Sequence, residues 1–251
     1  MWRVLRTLKN PRRVREIGLC RKATPEWKQL LGAYLGFVFQ PFSIELSSGR
    51  FEFLEKSDVA TFWQIFFAQV YPLRPSDRII VDAGGNIGAF SLFALLAIPE
   101  CRVFTVEPSP GSFERLRSVL KAHGVDRRCT AINAALGGSI GSTTIMSAGP
   151  SQFRRTGAAG DAVPMVTLES ILPPGDTDLL KMDIEGAEYD ALGSATPAVL
   201  QRIRRIVLEM HPTEGTPYRW PSLREHLVSA GFHVTMETDD GGGYGIAHLE
   251  R

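Results

Sequence analysis

From residue 78 onward, short apolar runs alternate with stretches in which apolar residues recur every three to four positions. The apolar runs predict strands at residues 78–84, 102–106, 129–133, 163–166, 179–184 and 203–210. The other stretches predict helices at residues 89–97, 111–122, 187–192 and 222–230, with a helical turn at 168–172. Strands that alternate with helices in this way predict a mostly parallel sheet covered on both faces.

Two antiparallel hairpins are expected beside this sheet. Residues 232–237 and 244–249 flank a turn that reads DDGGG, and this hairpin would close the sheet. Residues 134–136 and 143–146 flank a turn that reads GGSIGS, which predicts a second hairpin. The loop at residues 149–161 contains two arginines and is either a substrate lid or a linker.

The stretch of residues 57–71 predicts one helix ahead of the sheet. Ser57 or Asp58 can cap this helix, and Pro72 and Pro75 end it. Its apolar face would consist of Phe62, Ile65, Phe66 and Val70. We expect this aromatic face to pack against the sheet.

Residues 1–56 form a separate segment that is basic early and aromatic late. The first 22 residues carry eight basic side chains and one acidic side chain. Near-helical spacing is found at Trp2, Val4, Leu5 and Leu8. This pattern predicts either an amphipathic helix on an anionic membrane or a partner, or a helix packed on the domain with a solvated basic face. We expect this extension to cap the substrate side of a catalytic domain formed by residues 57–251.

The totals exclude several classes of protein. With 251 residues and 44% apolar residues, the chain suits one α/β domain with an added segment. A formal net charge of +1 argues against a nucleic-acid partner. Three cysteines without Cys-x-x-Cys spacing argue against disulfides and structural zinc, and they indicate a reducing compartment. A cytoplasmic protein is expected, because no apolar run reaches transmembrane length and no secretory signal begins the chain.

A glycine-rich loop reads VDAGGNIGAF at residues 81–90 and joins a strand to a helix. In an open α/β sheet this turn is where a ligand lies against the backbone, and glycines leave room for it. A dinucleotide fingerprint needs glycines where Asn86 and Ala89 stand, which excludes a dehydrogenase. A phosphate-binding loop of the Walker type needs Gly-Lys-Ser/Thr, which is absent.

Two acidic residues near this loop indicate its ligand. Asp82 ends the strand just before the glycines, and a carboxylate favours a cation over a phosphate. Glu107 ends the next strand, where a carboxylate can accept hydrogen bonds from both hydroxyls of a ribose. The loop, Asp82 and Glu107 together favour a nucleoside with a positively charged tail, which describes S-adenosylmethionine.

A second set of charges lies in the stretch KMDIEGAE at residues 181–188. Its first three charged residues are two apart, which places their side chains on one face of an extended strand. The same spacing recurs at the end of the following strand. Because the ends of adjacent parallel strands meet at one sheet edge, one pocket is expected to hold all five side chains. These are Lys181, Asp183, Glu185, Glu209 and His211.

S-adenosylmethionine supplies a methyl group, and if the acceptor is a hydroxyl, a base or a metal must help to remove its proton. His211 is the first candidate because of the usual pKa of histidine, and Asp183 is its rival because it should lie nearest the transferred methyl group. Catalytic roles are also assigned to Glu209 and to Lys181. The positive charge of Lys181 would neutralise part of the negative charge of the neighbouring acids. Suitable ligands for Mg²⁺ or Mn²⁺ are Asp183, Glu185, Glu209 and His211, although the spacing does not require a metal.

Structural interpretations compete for several of these residues. Lys181 and Glu209 can form an ion pair between strands, and His211 can simply end a strand. Glu188 lies in the first turn of the next helix and is interpreted as a partner of the helix dipole. Purely structural roles are assigned to His226 and His233.

Six segments together resemble the FkbM family of S-adenosylmethionine-dependent methyltransferases. They read IIVDAGGNIGAFS, FTVEPSP, INAALGGSIG, VTLESIL, DLLKMDIEGAEYDAL and RIVLEMHP, and KMDIEGAE is the most specific part. The resemblance covers residues 57–249 and implies the class I, Rossmann-like methyltransferase fold. That fold is a seven-stranded, mostly parallel sheet with an antiparallel last strand and helices on both faces. Gly85 is a departure, since the family usually has alanine there.

The resemblance also implies roles for individual residues. The methionine part of S-adenosylmethionine would contact Gly84, Gly85, Asn86 and Gly88. Asp82 would reach the amino group of the cofactor, directly or through water, and Glu107 beside Pro108 would hold the ribose. The adenine would lie along Asn133, Ala134 and Ala135, with Ser109 and Phe113 as further candidates. Asp183 would also border the cofactor, and Tyr71 either closes over it or is a core aromatic.

The function that follows is O-methylation of a hydroxyl on a secondary metabolite or glycan. Two alternatives stay open, namely methylation of a nitrogen or carboxylate, and a non-catalytic module that binds the cofactor or a partner. The intact set of glycines and acids argues against a loss of catalysis. The acceptor pocket is expected to be shaped by residues 1–56 and 147–161.

Overall fold

The computed structural model describes residues 10–37, 39–145, 160–212, 219–239 and 243–251. In this part of the chain the strands are β1 (Phe42–Leu46), β2 (Gly49–Phe53), β3 (Ile79–Ala83), β4 (Arg102–Val106), β5 (Cys129–Ile132), β6 (Ala135–Leu136), β7 (Gly141–Ile145), β8 (Asp161–Val166), β9 (Leu179–Met182), β10 (Arg205–Met210), β11 (His233–Asp239) and β12 (Gly245–Glu250). The helices are α1 (Pro11–Ala23), α2 (Trp27–Tyr34), α3 (Lys56–Trp63), α4 (Ala89–Ala97), α5 (Pro110–Ala122), α6 (Leu168–Ile171), α7 (Glu188–Gly193), α8 (Pro197–Leu200) and α9 (Trp220–Ser229).

The main sheet has seven strands in the order β11-β12-β10-β9-β3-β4-β5. Neighbouring strands from β10 to β5 are parallel, whereas β12 is antiparallel to both β10 and β11. This arrangement confirms the predicted Rossmann-like fold, its antiparallel last strand and the closing hairpin. The strand order reverses direction around β3, which is where this class of sheet binds its ligands.

Both faces of the sheet are covered, which explains the continuous apolar runs. Side chains alternate between two cores, since Ile80 belongs to one and Val81 to the other. Leu179 and Leu180 divide in the same way on β9. Side chains within these strands are therefore packed in one core or the other. Polar side chains can reach a ligand where the strands end, at their carboxyl ends.

The second predicted hairpin is wrong in its pairing. Strands β6 and β7 both pair with β8, which lies between them in a separate three-stranded sheet. In this register Met165 stands opposite Ala135 on one side and Gly141 on the other. Local turn chemistry predicts pairing between neighbouring strands and carries no signal for a third strand that inserts between them.

The predicted helix at residues 57–71 is shorter and is capped differently. Asp58 lies inside α3, where its carboxylate accepts hydrogen bonds from the N–H groups of Leu54 and Glu55 at 2.8 and 2.9 Å. After Trp63 the helix widens into a π-helical turn at Gln64–Ala68, and Gln69 ends it with a left-handed φ of 53°. This early end frees Tyr71 to enter the site described below.

Residues 10–56 pack into the same core as one face of the main sheet. Cys20, Leu30 and Phe51 are completely buried in the cluster that contains Ile80. The helix predicted from Trp2, Val4, Leu5 and Leu8 lies outside the described residues, as does most of the loop at 149–161. The domain boundary near residue 56 stays a prediction. Of the described helices, none has the length and apolar character needed to cross a bilayer.

Gly84 is expected to be among the least replaceable residues of the sheet edge. Its φ is +85°, and an added Cβ would lie 1.8 Å from the backbone oxygen of Asp183. Gly84→Ala should therefore lower the free energy of unfolding by more than about 3 kcal/mol, because backbone must move. Gly124→Ala is the control, since Gly124 also has a positive φ of +67° but nothing lies within 4 Å of its added Cβ. Denaturant unfolding of both variants measures the difference, and equal losses would contradict the steric argument.

Candidate active site

A cavity of about 330 Å³ opens at the carboxyl edge of the main sheet. This volume falls in the range of small-molecule sites. The residues that were predicted for the site and line the cavity are Tyr71, Gly84, Gly85, Asn86, Glu107, Pro108, Ala135, Lys181, Asp183, Glu185, Glu209 and His211. The residues that were predicted for the cofactor but are not among the lining residues are Asp82, Gly88, Ser109, Phe113, Asn133 and Ala134.

The strand order spreads these groups along the sheet edge. Glu209 lies at the end of β10, Asp183 follows β9, the glycine loop follows β3 and Glu107 follows β4. Ala135 comes after β5, on the far side from β10. The acids and the glycine loop therefore lie side by side, with Glu107 beyond the loop.

The glycine loop is held tightly to its neighbours. Asn86 has a left-handed φ of 46°, and its N–H donates to Glu107 Oε2 at 2.8 Å. The side-chain oxygen of Asn86 is buried and has no hydrogen-bond partner in the described part of the chain. Gly88 is the N-cap of α4 and packs against Leu116, which an added Cβ would meet at 3.1 Å, and it is not among the residues that line the cavity.

Glu107 is buried, with 8% of its surface exposed. Besides Asn86, the N–H of Ser109 donates to its carboxylate at 2.8 Å. Burial raises the pKa of Glu107 to about 7, against the opposing effect of these two N–H groups. Its carboxylate is therefore fixed in place, but the two N–H groups do not fully offset the cost of burying its charge. Hydrogen bonds from additional hydroxyl groups would offset the rest.

Asp82 is not among the residues that line the cavity, and its predicted contact with a cofactor amino group, directly or through water, stays a prediction. It is completely buried, accepts a hydrogen bond from the Ser91 hydroxyl at 2.7 Å and lies 3.1 Å from Lys181 Nζ. Lys181 also donates to the carbonyl oxygen of Gly84 at 2.7 Å. The expected pairing of Lys181 with Glu209 is replaced by this pairing with Asp82. Burial alone would lower the pKa of Lys181, but Asp82 and Asp183 raise it above its usual value.

The acid cluster consists of Asp183, Glu185, Glu188, Glu209 and His211. The Tyr71 hydroxyl is shared by two of its carboxylates, at 2.9 Å from Glu209 Oε1 and 3.1 Å from Asp183 Oδ2. Burial first, and then the charge of Asp183, raise the pKa of Glu209 to about 7. Tyr71 is thus more than a core aromatic, because its buried hydroxyl contacts both acids, and its predicted place over the cofactor stays a prediction.

His211 is held by Glu188, which the sequence analysis interpreted as a partner of the helix dipole. Glu188 is completely buried, and its carboxylate hydrogen-bonds to Nδ1 of His211 instead of serving only the helix dipole. Burial would lower the pKa of His211, but the bond to Glu188 and the charges of Glu188, Asp183 and Glu185 raise it to about 9. His211 is therefore protonated near neutral pH, which disfavours it as the base.

The extended geometry predicted for residues 179–184 ends early. Strand β9 stops at Met182, and Glu185 has a left-handed φ of 56°. The two-residue alternation therefore applies to Lys181 but not to Glu185, which reaches the cluster through a turn. Glu185 Oε2 still lies 3.8 Å from His211 Nε2.

The predicted adenine side is only partly made of the expected residues. Asn133 donates to the backbone oxygens of Glu107 and Pro108, at 2.8 and 3.1 Å, and so supports the end of β4. Ser109 caps α5. The hydrogen bond of His226 to Ala195 fits its assigned structural role. Lining residues that the sequence reasoning did not assign to the site are Ala60, Thr61, Gln64, Ile65, Ala89, Phe90, Val106, Leu136, Ile145, Ile184, Ala187 and Tyr244.

The chain matches known proteins over this same region. The family model described as "Methyltransferase FkbM domain" matches residues 82–234. Methyltransferase 1 of Beauveria bassiana is 24% identical over 206 residues, which cover 70% of this chain and 82% of that protein. The 31-O-demethyl-FK506 methyltransferase FkbM of Streptomyces tacrolimicus is 29% identical over 205 residues, which cover 66% and 76% respectively.

A solved structure has the same fold. It is the methyltransferase FkbM from Methylobacillus flagellatus, with a TM-score of 0.51 and 16% sequence identity. The match covers 77% of this chain and 54% of that chain, so the present chain corresponds to about half of that protein. At this identity, the similarity supports the fold alone.

Proposed function

The chain belongs to the FkbM family of methyltransferases, and we propose that it methylates a hydroxyl oxygen of a secondary metabolite or glycan with S-adenosylmethionine as the methyl donor. The observation that carries this proposal is a single cavity with two different halves. The half at β3 and β4 offers the glycine loop and Glu107, and the half at β9 and β10 offers the acid cluster.

The residues beside the glycine loop fit the cofactor. Glu107 can accept both ribose hydroxyls, since each of its oxygens has so far one N–H donor. Asn86 lines the cavity, and its unpartnered Oδ1 is an acceptor suited to the cofactor amino group. Ala135 and Leu136 supply apolar surface for the adenine.

The acid cluster fits a hydroxyl acceptor. S-adenosylmethionine, when bound, supplies a methyl group on a positively charged sulfur, so the protein must position the acceptor and remove its proton. Asp183 and Glu209 share one Tyr71 hydroxyl and lie at the cavity wall, which makes this pair the proton acceptor in place of His211. An oxygen acceptor is also consistent with the name of the Streptomyces relative, 31-O-demethyl-FK506 methyltransferase, which refers to an oxygen.

Calorimetry with S-adenosylmethionine is the first test. We expect binding at one site per chain, followed by transfer of a radiolabelled methyl group to a hydroxyl among candidate acceptors. Binding without transfer to any acceptor would favour the non-catalytic module, and transfer to nitrogen alone would replace the oxygen assignment. Absence of binding would overturn the cofactor assignment.

A further inference from the structure

The inner atoms of the acid cluster surround a gap. His211 Nε2 lies 3.7 Å from Asp183 Oδ1 and 3.8 Å from Glu209 Oε2. These distances are too long for hydrogen bonds, and Nε2 makes none to the described residues. The side chain of His211 is only 6% exposed, and its Nε2 faces carboxylate oxygens of Asp183, Glu209 and also Glu185, the last at 3.8 Å, without a hydrogen bond to any of the three.

Each of the three side chains is oriented from behind. The single O–H of Tyr71 is shared between the outer oxygens of the two carboxylates, Asp183 Oδ2 and Glu209 Oε1, which leaves the inner oxygens directed at His211. Glu188 holds Nδ1 of His211, which leaves Nε2 directed at the same gap. Outer hydrogen bonds that fix the direction of the ligand atoms are typical of metal sites.

The negative charges around the gap also favour the binding of a cation. Among the described residues, four carboxylates lie around a single imidazole, and the ammonium group of Lys181 is 3.9 Å from Asp183 but only 3.1 Å from Asp82. One ligand atom from each of Asp183, Glu209 and His211 lies within 4.8 Å of the others. Ligand atoms bound at about 2.1 Å to one ion stand about 3 Å apart at a right angle, so a small contraction closes the site.

We propose that Asp183, Glu209 and His211 bind one divalent cation, which displaces the proton from Nε2 of His211 because only the neutral imidazole is a metal ligand. One imidazole with two carboxylates favours Mn²⁺ over Ca²⁺, because nitrogen ligands suit transition metals. The site follows from the cluster itself, whereas its role rests on the proposed function. In that role the cation would hold the acceptor oxygen and lower the pKa of the bound hydroxyl, and a carboxylate oxygen of Asp183 or Glu209 that does not bind the cation would accept the proton.

The site can be tested without any cofactor by titrating the full chain with Mn²⁺. The electron paramagnetic resonance signal of the free ion measures how much Mn²⁺ remains unbound. We expect one bound ion per chain and at least a tenfold weaker affinity in Asp183→Asn and in Glu209→Gln. Asp176→Asn is the control, because Asp176 is an exposed carboxylate paired with Arg204 away from the cavity. Absence of binding, or equal affinity in all four proteins, would overturn the site.

Tyr71→Phe tests the orientation of the carboxylates separately. This variant keeps the aromatic ring against Phe90 and removes only the hydroxyl. Affinity for Mn²⁺ should fall by about 10- to 100-fold, while far-ultraviolet circular dichroism stays that of the wild type. Unchanged affinity in a folded variant would contradict the proposed arrangement.

A parallel calorimetric titration with S-adenosylmethionine in the presence of a chelator separates the two proposals. Cofactor binding without any Mn²⁺ binding would overturn the metal site and leave the proposed function in place. Mn²⁺ binding without cofactor binding would support the metal site and overturn the proposed function.

Discussion

Replacing Glu209 with glutamine is expected to lower methyl-transfer turnover by on the order of 10²- to 10⁴-fold. The amide oxygen can still accept the hydrogen bond of Tyr71, but the variant loses the charge that acts on the acceptor proton. Affinity for S-adenosylmethionine should stay within about twofold, because β9 separates Glu209 on β10 from the glycine loop after β3. Single-turnover rates and calorimetry measure the two effects separately.

Glu209→Gln is not expected to lower the free energy of unfolding. This result would distinguish a carboxylate needed for function from one that stabilises the fold. Since the pKa of Glu209 is raised to about 7, the folded protein binds this proton more tightly than the unfolded chain. Its ionised form therefore opposes folding increasingly as the pH rises from about 4.5 through 7. At pH 8, Glu209→Gln is expected to be as stable as the wild type or more stable, by up to about 2 kcal/mol.

Glu237→Gln is the matched control for this prediction. Glu237 on β11 accepts a hydrogen bond from the Trp220 indole at 2.8 Å, so the substitution also changes a bonded carboxylate. Because Glu237 does not line the cavity, turnover should be unchanged. Comparable turnover losses in both variants, or a clear destabilisation of Glu209→Gln at pH 8, would speak against the assignment.

Replacing Glu107 with alanine is expected to weaken binding of S-adenosylmethionine by about 100-fold. Two hydrogen bonds from ribose hydroxyls to a buried carboxylate are together worth about 3 kcal/mol, which corresponds to this factor. The substitution also removes the acceptor of the Asn86 and Ser109 N–H groups, so some stability is lost as well. Calorimetry at a temperature where the variant is folded isolates the binding effect.

Asp178 offers a control with the same local chemistry at the opposite edge of the sheet. Its carboxylate accepts hydrogen bonds from the N–H groups of Arg78 and Ile79, at 2.8 and 3.0 Å, just before and at the start of β3. Asp178→Ala thus removes an acceptor from two backbone donors without touching the cavity. It should lower stability but leave cofactor affinity unchanged. Equal weakening in both variants would assign the effect of Glu107 to backbone support alone.

The parts of the fold that could be predicted are those with a local physical cause. Strands buried on both faces require continuous apolar runs, and β4 begins and ends where its run predicts. Helix α4 likewise matches residues 89–97, because a glycine precedes it and apolar residues fill it. The gathering of Glu209, His211 and Asp183 at one edge follows from strand direction, so it too was accessible to sequence reasoning.

The parts that could not be predicted depend on which partner each polar atom finds. Asp82 ends its strand as expected, but Ser91 and Lys181 occupy its oxygens and keep it from the cavity. Glu188 has the position of a helix-dipole partner, and only its complete burial beside His211 reveals another role. The place of β8 between β6 and β7 is similarly a contact between segments distant in sequence.

The bonds of Lys181 have a practical consequence for protein engineering. This ammonium ties β9 to Asp82 and to the Gly84 carbonyl, and Gly84 itself is pressed against the backbone of Asp183. These contacts of Lys181, Asp82, Gly84 and Asp183 form one rigid floor that the two halves of the cavity share. Mutations in this floor would therefore weaken the binding of the methyl donor and of the acceptor together. A library meant to redirect the enzyme to new acceptors should leave this floor untouched. It should instead vary wall positions that take no part in the Lys181 bonds, such as Thr61, Gln64 and Ile145.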